Sequence, residues 1–299
     1  MLTNCEAFQP QVYSMLDQAL PLPQSEAFER TCAQLGLSVQ RVTTATGTCL
    51  VQTRKLPLLG AFNLISRGPI LTDGAAAKPF LDDVRQTLTG PLVVNAGESS
   101  GLVGGLKIAS GAILAMLDLE DPEVMRRRLH QKWRNQLKKA ESGALTVTEQ
   151  PLDADRHRWF LEAEMAQQKA RKYRNYPANF LLAFAAANKG QARLYISARK
   201  GHPVAGMLIL KHGRMATYQA GITTPEGRKS CAHNLLLWRI MCDLQKRQVA
   251  QLDLGRADLS DGLRRFKSGT GARDVTLQGS FLSHPWFRLG RSKRSLQVA

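Results

Sequence analysis

The segment AILAMLDLEDPEVMRRRLHQKWRNQLKKAESG, Ala112 to Gly143, holds a strand, a helix and the boundary between them. The apolar run Ala112 to Leu119 reads as a strand. Asp121 before Pro122 is a helix N-cap followed by the residue best suited to the first helical position, so a helix is expected to start there. Met125, Leu129, Trp133, Leu137 and Ala140 recur at helical spacing and form one narrow apolar stripe, and Gly143 supplies the C-terminal stop. On this reading one helix runs from 122 to 142. Arg127, Arg134 and Lys138 lie opposite the stripe, and Arg128, Lys132 and Lys139 lie on a flank. Between Arg126 and Lys139 every charged residue is basic, with only Glu123 and Glu141 nearby. Like charges at i,i+4 repel, and a solubilising surface mixes signs, so the imbalance points to an anion-facing role rather than a plain solvated face.

Working outward, helix and strand signals mix without a repeat. Upstream, Ser25 to Leu35 reads as a helix closed by Gly36, then Val39 to Val42, Thr48 to Gln52 and Phe62 to Ile65 as strands. Pro79 to Leu88 reads as a helix and Leu92 to Asn95 as a strand. Downstream come helices over Ala154 to Lys172 and Ala178 to Asn188, and strands Ala192 to Ala198, Pro203 to Lys211 and Arg214 to Ala220. A helix from Cys231 to Arg247 and a strand Gln251 to Leu254 follow. The loop TTPEGRKSCAHN precedes that last helix. Its small residues Gly227, Ser230 and Ala232 would let phosphates approach backbone N–H groups, with Arg228 and Lys229 adding charge, although the same pattern makes an ordinary capped turn.

Composition sets the broad limits. A chain of 299 residues with 43% hydrophobic residues buries a substantial core, and a formal net charge of +17 favours polyanionic partners: nucleic acid, phosphate-bearing cofactors or acidic membrane surface. The cysteines at 5, 32, 49, 231 and 242 contain no CxxC pair, and the histidines at 130, 157, 202, 212, 233 and 284 contain no HxxxH, so no metal site is expected. The N-terminus lacks a secretory signal. The stretch Gly101 to Leu119 carries Lys107 and several glycines, too polar for a membrane span. A cytoplasmic protein is expected, with peripheral membrane contact open.

Several ordered motifs carry a resemblance to a family: SRGP (Ser66 to Pro69), AILAMLDL, KWRNQLKKAESG (Lys132 to Gly143), TYQAG (Thr217 to Gly221), NLLLWRIM (Asn234 to Met241), LDLGRAD (Leu252 to Asp258) and RRFKSGTG (Arg264 to Gly271). Together, over residues 50 to 282, they resemble the Fem-type aminoacyltransferases of the GNAT superfamily. The resemblance implies an α/β fold of two tandem GNAT-like domains, each a mixed sheet flanked by helices. The expected bounds are 1–120 and 121–272, with 273–299 returning towards the first domain. It also implies acyl transfer from an activated donor to a primary amine, with aminoacyl-tRNA or acyl-CoA as co-substrate and no tightly bound cofactor.

Residue by residue, the resemblance places Phe266 and Lys267 at the reacting end: Phe266 stacking on the donor, Lys267 holding the developing oxyanion, and Gly269 and Gly271 letting backbone approach the ligand. It places Arg67 at an acceptor phosphate site, and Tyr218 on a strand lining the cleft. Arg228, Ser230 and Ala232 are donor-binding candidates, and Arg127, Arg134 and Lys138 polyanion-binding ones. Transfer to an amine needs positioning and an oxyanion donor rather than a nucleophilic side chain, which suits a chain without a visible triad. Three features depart from relatives: Ser66 replaces a proline before RGP, the interval from Gly143 to Ala178 is too short for a coiled-coil arm, and GRKSCA is not the Q/RxxGxG/A loop of acetyl-CoA enzymes. The charge of the ridge and of Arg288, Arg291, Lys293 and Arg294 suits tRNA better than CoA. An acyl-CoA dependent N-acetyltransferase and a non-enzymatic RNA-binding protein are the alternatives.

Overall fold

The helix that Gly36 closes is α1, Glu26–Gln34, and Ser25 caps it by accepting the Phe28 N–H on its Oγ at 3.2 Å. The computed structural model describes residues 19–56, 60–98, 101 and 103–283, and Arg288, Arg291, Lys293 and Arg294 lie outside the described residues. The described residues divide into two units, Leu37–Ala112 with 276–283, and Ile113–Val275 with 19–36. Each is a mixed sheet flanked by helices.

The smaller unit contains β1 (Val39–Thr44), β2 (Gly47–Leu56), β3 (Gly60–Ser66), β4 (Ile70–Leu71), α2 (Ala77–Gln86), β5 (Leu92–Ala96), β6 (Leu106–Ala109) and a last strand, Gly279–Ser283. That strand lies between β5 and β6 in the order β1-β2-β3-β5-last-β6, with β4 on β2. The pair β3 and β5 is parallel. Phe80, Leu81 and Val84 on α2 pack with Val51, Ile65 and Val94 of the sheet. Gly111 is required where the chain returns: a Cβ there would meet the Leu277 carbonyl oxygen at 1.6 Å.

The larger unit runs β7 (Ile113–Asp118), α3 (Pro122–Arg128), α4 (Gln131–Glu141), β8 (Leu145–Pro151), α5 (Arg158–Arg171), α6 (Ala178–Ala187), β9 (Ala192–Arg199), β10 (His202–His212), β11 (Met215–Thr223), α7 (Pro225–Lys229), α8 (Ala232–Lys246), β12 (Gln251–Arg256), α9 (Asp261–Ser268) and β13 (Arg273–Thr276); the last strand of the chain is β14. The sheet order is β13-β7-β12-β11-β10-β9-β8. At its centre β11 and β12 are parallel but pair only over Met215↔Gln251, Ala216↔Leu252 and Thr217↔Asp253. Past that point they part. Both strands shift register there: β11 carries an extra residue, Gln219, between the pairings of Ala220 and Tyr218 with β10, and β12 shifts against β7 between Asp253 and Arg256.

Two expectations change. The helix over 122–142 is two helices, because Leu129 has ψ 133° and His130 becomes the N-cap of α4. The apolar stripe nevertheless survives the break, with Met125, Leu129, Trp133, Leu137 and Ala140 all buried. Residues 19–36, expected in the first domain, group with the second: Phe28 packs against Phe180 with ring centroids 5.5 Å apart, and Asn188 donates to Ala27 O and Thr31 Oγ1 at 3.1 Å. Strand β8 and helix α9 carry no sequence expectation; β8 alternates half-buried and exposed residues and offers no apolar run to read.

Candidate active site

The gap between β11 and β12 leaves β11 without a strand partner on one edge, and side chains take the place of that partner. The Gln219 carbonyl accepts from Asn175 Nδ2 at 2.5 Å, and the Gly221 carbonyl accepts from Gln167 Nε2 at 3.1 Å. Asn175 Oδ1 accepts from the Tyr176 N–H and from Gln219 Nε2. Gln168 Oε1 accepts the Asn175 N–H at 3.1 Å. Backbone groups have a fixed donor or acceptor sense, so they set the orientation of all three amides.

The remaining donors of those amides converge on Glu164, which is only 3% exposed. Its carboxylate accepts from Tyr173 OH at 2.9 and 3.0 Å, Gln167 Nε2 at 3.3 Å, Gln168 Nε2 at 3.4 Å and Asn175 Nδ2 at 3.4 Å. Burial lifts this carboxyl above its ordinary range, and the donors pull it back. Every neighbour donates, so the network accommodates the ionised form, a negative charge with no ion-pair partner among the described residues. The Tyr173 hydroxyl is pushed up to about 12 by burial, with the Glu164 charge adding to it. Tyr218 lies along β11 over Gly221, whose missing Cβ leaves the space for the phenol oxygen, and burial with the Glu164 and Tyr173 charges raises its hydroxyl too.

Across the gap stands Lys267 on α9. It is 4% exposed, and its Nζ donates to the Arg256 carbonyl at 2.7 Å. Burial lowers its pKa to about 8, against the pull of Asp253 and Asp258. Phe266 is half-buried, with ring centroids 6.3 Å from Trp133 and 6.2 Å from His233. His233 Nε2 lies 2.8 Å from the Ile222 carbonyl and is therefore the protonated nitrogen; burial holds the ring below its usual pKa. Phe266 thus links the end of β11 to α9.

The glycines of SGTG have neighbours of their own. A Cβ at Gly269 would lie 2.7 Å from Trp133 Cδ1, and one at Gly271 would lie 3.1 Å from Arg128 Cβ, so both admit the α3–α4 junction. His130 N–H donates to the Gly269 carbonyl at 2.9 Å. The loop before α8 also differs from a phosphate cradle. Helix α7 occupies it: Gly227 N–H donates to Thr224 Oγ1, Arg228 N–H to Thr224 O, Ser230 N–H to Glu226 O and Cys231 N–H to Arg228 O. The side chains of Arg228 and Ser230 turn to Thr223 O and Glu226 O, and Ala232 is buried.

On the basic segment, Arg126 forms a paired contact to Glu141 at 3.0 and 2.7 Å and lies over the Trp238 ring, and Arg128 pairs with Glu120 at 3.1 Å. Arg134 donates to Arg127 O and Leu129 O, capping α3. Arg127, Lys132, Lys138 and Lys139 are exposed and form no ion pair among the described residues. Arg67 lies in the smaller unit after β3, half-buried, at φ 56°, with its N–H on the Asn95 carbonyl at 2.7 Å.

Residues 125–268 match a family model described as an acetyltransferase (GNAT) domain. The chain carries a GNAT-type acetyltransferase domain. Among solved structures the chain is similar to FemX, at 13% identity and TM-score 0.73, covering 94% of this chain and 98% of that one. It is similar to L-PGS from Bacillus licheniformis at 14% identity and TM-score 0.53, covering 89% and 93%. A tandem GNAT protein from the clavulanic acid biosynthesis pathway matches at 11% identity and TM-score 0.55, covering 98% of both chains. No curated protein matches the chain. These identities speak for the Fem-like tandem GNAT fold, and no helix among the described residues is long and apolar enough to cross a membrane.

The Glu164 group is absent from the sequence reading. One signal of it was present: Phe160, Glu164 and Gln168 share a face of α5 at i, i+4 and i+8, which sets a carboxylate in line with a core aromatic. Its partners Tyr173, Asn175 and Gln219 come from a loop and a strand, and no spacing links them.

Proposed function

We propose that the protein moves an aminoacyl group from aminoacyl-tRNA to a primary amine. The observation that carries this reading is that two carbonyls on the open edge of β11 and four amides before α8, groups on which CoA would be held, are already bonded within the chain. CoA offers two amides in its pantetheine arm and a pyrophosphate. The free edge of β11 has its Gln219 and Gly221 carbonyls on Asn175 and Gln167, and before α8 the N–H groups of Gly227, Arg228, Ser230 and Cys231 are bonded to Thr224, Glu226 and Arg228. Displacing those bonds would forfeit interactions of about 1 kcal/mol each and more where a buried group is left unpaired. A tRNA donor needs neither cradle. Its phosphates suit the unpaired cations Arg127, Lys132, Lys138 and Lys139.

In the transfer, the amine nitrogen bonds to the ester carbonyl carbon, the carbonyl oxygen becomes an oxyanion, and the ribose oxygen departs with a proton as the ester bond breaks. Lys267 is the proposed oxyanion donor. One of its three N–H bonds is on Arg256 O, and a pKa near 8 keeps it largely protonated at neutral pH. Phe266 is the proposed donor contact, with its ring already oriented by Trp133 and His233.

A second reading, acetyl transfer from acetyl-CoA, is favoured by the acetyltransferase description of the matching domain model. Thermal shift with uncharged tRNA and with CoA separates the two, because a ligand at 100 times its dissociation constant stabilises by about 2.7 kcal/mol. A rise with tRNA and none with CoA supports the aminoacyl reading; the reverse pattern overturns it.

A further inference from the structure

Beside the Glu164 network is a cavity of about 220 Å³ between α5 and the β10–β11 edge, with Trp159, Ala163, Val204 and Ile222 among its apolar lining and Gln167 and Thr223 among its polar lining. None of its lining residues is ionisable. It is smaller than the roughly 300 Å³ at which drug-sized pockets begin, yet larger than the ~150 Å³ that accepts a benzene ring. One side chain of leucine or phenylalanine size fits it.

Gln167 belongs both to this cavity and to the buried network. Its Nε2 has three acceptors within reach of its two N–H groups: Gly221 O at 3.1 Å, Tyr173 OH at 3.0 Å and Glu164 Oε2 at 3.3 Å. That end of the amide is pinned inward, and its Oε1 has no partner among the described residues. A carboxylate on the N–H side of an amide polarises it and makes the oxygen at the other end a stronger acceptor, more so where water is excluded. Gln167, a lining residue of the cavity, is therefore the group through which Glu164 acts on it.

We propose that this cavity is a subsite for an ammonium-bearing unit with an uncharged side chain, the side chain lodged against Trp159 and Ile222 and the ammonium donating to Gln167 Oε1. Glu164 is a positioning residue that acts through Gln167. The inference rests on the aminoacyl reading for its place in the reaction, where such a unit is either the α-ammonium and side chain of the aminoacyl donor or the amine acceptor. The absence of an ionisable lining residue excludes a side chain that carries its own charge, which would be desolvated without a partner.

The full chain is titrated with L-leucinamide, N-acetyl-L-leucinamide and L-lysinamide by ligand-observed NMR and calorimetry. Leucinamide is expected to bind about 10- to 100-fold more tightly than its acetylated form, the difference that one hydrogen bond to a charged group makes, and lysinamide more weakly than leucinamide. Gln167→Leu should remove the preference for the free ammonium, and Ala163→Phe, on the cavity side of α5, should abolish binding of all three. Equal affinity for leucinamide and its acetylated form, a preference that persists in Gln167→Leu, or no binding of leucinamide at millimolar concentration overturns the subsite. The tRNA and CoA shifts are read separately, so a leucinamide preference without a tRNA response sinks the donor reading and leaves the subsite standing. N-acetyl-aminoacyl-tRNA then distinguishes the sources: if blocking the donor's ammonium weakens it about 10-fold, the subsite holds the donor, and if not, the acceptor.

Discussion

Trp133 donates its indole N–H to the Phe266 carbonyl at 3.1 Å, which fastens the basic segment to the helix that carries Lys267. The contact is two-sided, since Gly269 on the following turn makes room for the same indole. Trp133→Phe keeps most of the packing and loses the hydrogen bond, for an expected cost of about 1 kcal/mol. Trp133→Ala also opens a cavity and is expected to cost roughly 3 to 5 kcal/mol. Denaturant midpoints measure both, and a loss below about 1 kcal/mol for the alanine variant would remove Trp133 from the core.

Lys267→Met separates a structural lysine from a catalytic one. As proposed oxyanion donor its loss should lower kcat by about 10²- to 10³-fold. An exposed cation would leave stability untouched, but a buried ammonium with its pKa lowered from the usual 10.5 to about 8 does not. Between those values the unfolded chain binds the proton and the folded chain does not, so the Lys267 contribution to stability rises with pH across that window, by roughly 3 kcal/mol in all. The difference in unfolding free energy between wild type and Lys267→Met, followed from about pH 7 to pH 10, should therefore move in favour of wild type. A difference that does not change with pH places the Nζ in water.

The cations of the basic segment fall into two kinds that substitution tells apart. Reversing Arg127 and Lys138 to Glu should weaken tRNA binding and lower the slope of log affinity against log salt by about 1 for each phosphate no longer neutralised, with the melting temperature kept. Arg134→Glu should also destabilise, by roughly 1 to 3 kcal/mol, because it replaces a donor to Arg127 O and Leu129 O with a negative charge at the C-terminus of α3. Salt-dependent filter binding and thermal melts read the two effects. Unchanged affinity in the double reversal returns Arg127 and Lys138 to a solvated face.

Asn175→Asp probes the charge on Glu164. It sets a second carboxyl where an amide N–H lies 3.4 Å from Glu164 Oε1, and it removes the donor to Gln219 O. Two adjacent carboxyls raise the pKa of the pair further. A carboxyl whose folded pKa is raised contributes its stability below the unfolded value and loses it as pH rises through the folded value, so the cost of this variant should grow from about pH 4 to pH 8. Asn175→Ala should instead cost about 1 to 3 kcal/mol at every pH in that range. A pH-independent cost for the aspartate variant would mean that Glu164 is protonated throughout.

The alternation of elements, the start of α3 at Asp121-Pro122 and the buried stripe from Met125 to Ala140 were legible in Ala112–Gly143, because caps and apolar periodicity act over a turn or two of one helix. The mixed α/β class followed in the same way. The break at Leu129 was not legible, since the Gly269 carbonyl that receives the His130 N–H comes from far along the chain. Nor was the burial of Lys267: a lysine beside glycines reads as exposed until the carbonyl of Arg256 and the shape of α9 against β12 are known. The parting of β11 and β12 depends on register shifts against β10 and β7, and the Glu164 group on a helix, a loop and a strand that meet only in the folded sheet. Local propensity and periodicity, which act between near neighbours, were determined by the sequence itself; which carbonyls were already bonded, which charges were buried and where a cavity remained were decided by tertiary packing, because those are relations between residues that only the fold brings within hydrogen-bonding distance.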